Sequence, residues 1–148
     1  MLLVTLVKLY TRDLHAVIAE LEAYSSEKNI WKVQGDVKNS AGNLCLHLVG
    51  NLNAFIGAAL GNTGYIRKRD LEFSLKDIPR IELIQQIKDT VKVVENTLKN
   101  LTEEDLQKEY KRRVFEDTMT TEYFLVHLTM HLSYHLGQIN YHRRLLDN

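Results

Sequence analysis

The chain has 148 residues, 45% hydrophobic and 26% charged, a globular composition that excludes a disordered polypeptide. Lysine plus arginine equals aspartate plus glutamate at 19 each, for a net charge of zero. That balance argues against phosphate-dominated nucleic-acid binding, which needs a basic surface, and equally against a polybasic membrane contact.

The length suits one domain over residues 1–148, with a single core. Its first predicted element is an amphipathic helix over residues 2–26, where Leu6, Leu9, Tyr10, Leu14, Val17, Ile18 and Leu21 keep three-and-four spacing. The apolar opening, Leu2 to Val7, stops at Lys8 with no basic region before it. It is too short for a signal-peptide core or a membrane span. The one cysteine, Cys45, excludes an internal disulfide and fits a reducing compartment, so a cytoplasmic protein is expected. Residues 27–38 lose the periodicity around Gly35 and Asp36, and Trp31 is expected to fold back onto the bundle.

Ser40 is a suitable N-cap for a second helix, reaching about Leu60. This helix is unusually apolar yet holds Gly50 and Gly57. Each interior glycine costs about 0.5–1 kcal/mol relative to alanine, which points to close approach of a neighbouring backbone. Gly61 to Gly64 ends it, and residues 64–78 form a long charged connection. The charge run reads first as a solvated loop. Long loops also carry function, and Tyr65, Arg67 and Arg69 are placed to line a pocket mouth and hold an anionic group.

Pro79 suits the first turn of a third helix, running to about Asn100 with Ile81, Ile84, Ile87, Val91, Val94 and Leu98 inward. Thr102 to Asp105 reads as a capping box opening one short turn. An extended crossover over residues 107–117 follows, and Thr118 or Thr120 starts a fourth helix ending near Leu146. Four long amphipathic helices without a strand pair predict an all-α four-helix bundle with long crossover connections.

The fourth helix carries His127, His131 and His135 at four-residue steps, which stacks them on one face. Eight residues of helix span roughly 12 Å, so only one adjacent pair can share an ion with bonds near 2.1 Å. By spacing alone, His127 with His131 serves as well as His131 with His135. On the second helix Asn43, His47 and Asn51 form a polar seam in an apolar surface, and buried polar groups need partners. Alone, His47 reads equally as a core histidine bonded to its neighbours. Cys45 points about 200° away from His47 and reads as a small buried hydrophobe. His15 and His142 stand among charged residues and read as solvated. No Gly-x-Ser-x-Gly, phosphate loop, dinucleotide fingerprint or Glu-x-x-His occurs, which argues against a serine hydrolase, a nucleotide site and a di-iron carboxylate bundle.

The run from Asn43 to Leu52 around His47, with His131-Leu-Ser-Tyr-His135-Leu-Gly-Gln-Ile139 on the fourth helix, resembles the DinB/YfiT-like superfamily of metal-binding four-helix bundles. The segment Gly64 to Phe73 is similar to a mostly uncharacterised subgroup. The resemblance runs from about Asn39 to Leu146. It implies His47, His131 and His135 as ligands of a divalent ion, commonly nickel or zinc, and a homodimer formed by helix packing. It also implies thiol-dependent transfer or isomerisation as the activity of characterised relatives. Tyr134 and Leu136 stand where many relatives carry histidine and arginine, so their substrates do not transfer.

The resulting expectation is a divalent-metal-dependent enzyme, either a thiol-dependent S-transferase or a hydrolase, acting on a small-molecule thiol or another small substrate. Its catalytic residues are unassigned. Asn51, Gln138, Tyr65 and Arg67 are the candidates for orienting ligand or substrate. The alternative is a non-catalytic metal-binding or structural homodimer.

Overall fold

The apolar stripes become helices in the computed structural model, which describes residues 1–148. In chain order these are α1 (Leu2–Ala23), α2 (Ala41–Gly61), α3 (Arg69–Ser74), α4 (Arg80–Lys99), α5 (Glu103–Gln107) and α6 (Thr121–Leu146). There is no sheet; isolated bridges join only Gln34 to Val37 and Glu109 to Thr120. The architecture is an all-α bundle.

Local chemistry sets most boundaries. Ser40 Oγ accepts the Asn43 amide at 3.1 Å, and Thr120 Oγ1 accepts the Tyr123 amide at 3.1 Å. Thr102 and Asp105 exchange both bonds of a capping box at 3.1 and 2.8 Å. Other boundaries shift from the expected ones. α1 stops at Ala23, and Glu27–Trp31 makes a 3-10 turn that buries Trp31. Pro79 caps α4 instead of sitting in its first turn, and Ile81 is 78% exposed while Leu83 points inward. Asn53–Ala58 forms a π-type turn within α2. What approaches its glycines is side chain, not backbone: Glu72 at Gly50 and Val93 at Gly57.

Each of α1 and α2 packs on both α4 and α6. Tyr10 meets Leu125 and Tyr24 meets His142, so α1 and α6 run parallel. Asn53 meets Thr90 and Gly61 meets Thr97, so α2 and α4 are parallel too. His47 opposite His131 and Phe55 opposite Phe124 make α2 antiparallel to α6. Parallel neighbours cannot be joined by a tight turn. The chain must return along α2 before α4 begins, and that return carries α3 past the middle of α2.

α2 is long and apolar enough to cross a membrane by length and composition, but 61% of that window is buried inside the bundle. His142 corrects a sequence expectation. It is 4% exposed, with Nδ1 2.6 Å from the Tyr24 hydroxyl and Nε2 2.8 Å from the Lys32 carbonyl. It shares the inner face of α6 with Ile139 and Leu146, three and four residues away, and that face decides burial despite charged sequence neighbours.

A candidate metal centre between α2 and α6

α2 presents His47 and α6 presents His131 and His135, one turn apart. His131 Nε2 lies 3.2 Å from His47 Nε2 and 3.1 Å from His135 Nε2. All three ligand atoms fall within 4.8 Å of one another, and the group could hold a metal ion. Around an ion with nitrogen bonds near 2.1 Å, neighbouring ligands stand about 3.0 Å apart in an octahedron and about 3.4 Å apart in a tetrahedron. The two close separations suit either shape.

His127, equal to His135 by spacing, is turned elsewhere: its ring stacks on Phe124 and meets Phe115 edge-on. Cys45 is buried away from the group, where the apolar core pushes its thiol pKa up and favours the inert thiol.

Behind the ligands lies a second layer of partners. Gln138 Oε1 accepts the His135 Nδ1 proton at 2.7 Å, across one turn of α6. His47 Nδ1 faces Glu72 Oε1 at 3.0 Å, with Arg67 Nη2 at 3.3 Å. Arg67 makes a two-pronged contact with Glu72, Nε to Oε2 and Nη2 to Oε1, both 2.9 Å. Asn43 Nδ2 donates to the carbonyls of Glu72 and Leu75, which ties the crossover to α2. His131 Nδ1 and Asn51 Oδ1 are buried without a hydrogen-bond partner.

Sequence reasoning missed Glu72. It sits in the stretch read as a solvated loop, yet it is 6% exposed. Gly50 was the one available signal, since a glycine inside a buried helix asks what occupies the missing Cβ. Arg67 likewise spends its fork on Glu72 rather than on a free anion site. Tyr65 lines a groove of about 200 Å³ with Leu46, Val49 and Gln86, and Glu72 forms part of the same wall, so Tyr65 reaches the histidines only through that carboxylate. Arg69 lies over the Phe73 ring at 5.3 Å.

A family profile described as "Protein of unknown function (DUF1572)" matches residues 5–148. The chain belongs to the DUF1572 family. Among curated proteins none matches it.

Burial, which disfavours charge, holds all three histidines of this DUF1572 protein below their ordinary value of 6.5. His131 falls to about 4, pushed further by His135 and His47. Glu72 opposes the shift at His47, and Gln138 opposes it at His135. All three are neutral near pH 7, the form that binds metal.

The same shifts make stability depend on pH. Between the unfolded value of 6.5 and the folded value of about 4 at His131, the unfolded chain binds more protons. Stability is therefore full above the upper value and is lost as pH falls through this window. Thermal melts in chelator at stepped pH should show the midpoint falling, and falling less in His131→Ala. Parallel profiles for the two proteins would contradict the assignment to this cluster.

Proposed function

We propose that this protein is a divalent-metal-dependent enzyme of the DinB-like kind, holding nickel or zinc on His47, His131 and His135. Its reaction is thiol-dependent transfer to or from a small molecule, or hydrolysis. The observation that supports this reading is the convergence of three imidazole Nε2 atoms on one point without a fourth protein ligand. Structural sites are usually saturated by four protein ligands, whereas catalytic ones keep a position for water or substrate. The grouping of the DUF1572 family with DinB-like families supports the same direction.

A divalent ion there supplies Lewis acidity that favours the anionic form of a thiol or water near neutral pH. The chain supplies position. Gln138 fixes the His135 ring through Nδ1. Phe73 lies against His47 at 5.1 Å between ring centres and helps to fix the orientation of that ring. Asn51 Oδ1, one turn from His47, is the acceptor we assign to a substrate or water proton.

Metal content measured by mass spectrometry on tag-free protein tests the reading. Wild type should carry near one equivalent after reconstitution, and His131→Ala little. Metal in neither, even after nickel and zinc are offered, removes the enzyme reading.

The non-catalytic alternative keeps one observation in its favour. Tyr123, Val126, Met130, Tyr134, Tyr141 and Leu145 make an exposed apolar stripe along α6. We assign it to a second copy of the chain, and light scattering on the same samples decides: the mass of two chains supports pairing, and the mass of one removes it. A homodimer that binds metal but turns over no thiol or ester substrate would favour the structural role.

A further inference from the structure

We propose that Glu72 is a positioning residue for the metal site. Its carboxylate, seated against Gly50 and braced by Arg67, holds His47 as the Nδ1–H tautomer with the Nε2 lone pair turned toward His131 and His135. The inference rests on the metal reading of the three histidines and adds to their site a residue from the crossover.

Two arrangements compete at His47 Nδ1. If that nitrogen is bare, it accepts from Arg67 Nη2 at 3.3 Å, but its lone pair then faces the lone pairs of Glu72 Oε1 at 3.0 Å. If it carries the proton, it donates to Oε1, and Arg67 keeps both 2.9 Å bonds to the carboxylate. The second arrangement satisfies every group and places donor against acceptor at the shorter distance. His47 Nε2 is then the bare nitrogen, and it is the one facing His131 Nε2.

The carboxylate has little freedom to be elsewhere. A Cβ on Gly50 would stand 1.8 Å from Glu72 Oε2 and 2.5 Å from Cδ, so the carboxylate fills the space a side chain at residue 50 would take. Asn43 pins the Glu72 backbone carbonyl at 2.9 Å. Phe73, next in α3, lies against the His47 ring. One short helix thus grips the imidazole by its Nδ1 edge and by its face. Carboxylates behind metal-binding histidines commonly set tautomer and ring orientation in this way, and their loss weakens metal binding about 10–100-fold.

Two measurements test the proposal. Nitrogen-15 NMR of the histidine side chains in metal-free wild type should find His47 protonated at Nδ1. This arm needs no variant to fold, and His47 protonated at Nε2 overturns the proposal. Cobalt(II) affinity, measured against a chromophoric chelator together with the cobalt absorption spectrum, should weaken about 10–100-fold in Glu72→Ala. Glu72→Gln, whose amide oxygen still accepts from Nδ1, should recover the tautomer and most of the affinity. Wild-type affinity and spectrum in a folded Glu72→Ala overturn the positioning role alone. A wild type that binds no cobalt overturns the metal reading and this inference with it.

Discussion

Replacing Gly50 with alanine is expected to destabilise the fold by about 3 kcal/mol, although the same change in an open helix would stabilise it by roughly 1 kcal/mol. The reversal comes from Glu72. The new Cβ would overlap its Oε2 at 1.8 Å, and the carboxylate cannot step aside without releasing Arg67 and His47. Arg67 would then keep a partly buried charge without its partner, the costly half of a broken pair. Urea denaturation of the single and double variants measures this. Glu72→Ala should be destabilising alone, yet alanine at residue 50 should add little once the carboxylate is gone. The expected coupling between the two positions is about 2 kcal/mol. A Gly50→Ala protein as stable as wild type would mean that the carboxylate is free to move.

Phe124→Ala is the second large effect, expected to cost about 4 kcal/mol. The ring is 1% exposed and sits where α2, α6 and the last crossover meet. Phe55 meets it edge-on at 5.1 Å, Tyr110 lies at 4.5 Å, and Phe115 approaches from the crossover at 6.1 Å. Truncation leaves a cavity lined by aromatic faces that cannot collapse into it together. The crossover should loosen first, because the amides of Tyr110 and Thr121 depend on bonds to Met119 and Lys108 across its base. Hydrogen exchange at those two amides should speed up more than at α1 amides. Metal affinity should change only a few-fold, since His131 lies two turns further along α6. Unaltered stability would show that the aromatic cluster is not part of the cooperative core.

Much of the fold was legible because its determinants are local. Ser40, Thr102 and Thr120 each cap a helix by bonding an amide three residues on, a contact within one turn of chain. Periodicity marked the buried faces of α1 and α4, apart from Ile81, which stands two residues before the buried Leu83 and so about 160° around the helix from it, on the outer face. The same rule placed His131 and His135 on one face of α6. It could not choose between His127 and His135, because a helix repeats its face every turn. The resemblance to the DinB-like bundles pointed to His135, and the facing surfaces agree: Phe115 and Phe124 take His127, while α2 meets the other two with His47.

Local pattern in the chain marks the four long helices, three side-chain caps, most of the apolar faces and the histidines within reach of an ion, but not α3. Packing alone sets α2 and α4 parallel, so that the connection between them returns along α2 and delivers Glu72 to His47, 25 residues away in the chain. It also decides that His142 is buried and that Arg67 is matched by a carboxylate. The reason is one of range. Backbone propensity and periodicity act over a turn or two of helix, whereas the charge state and partners of a side chain depend on what packs against it from distant sequence.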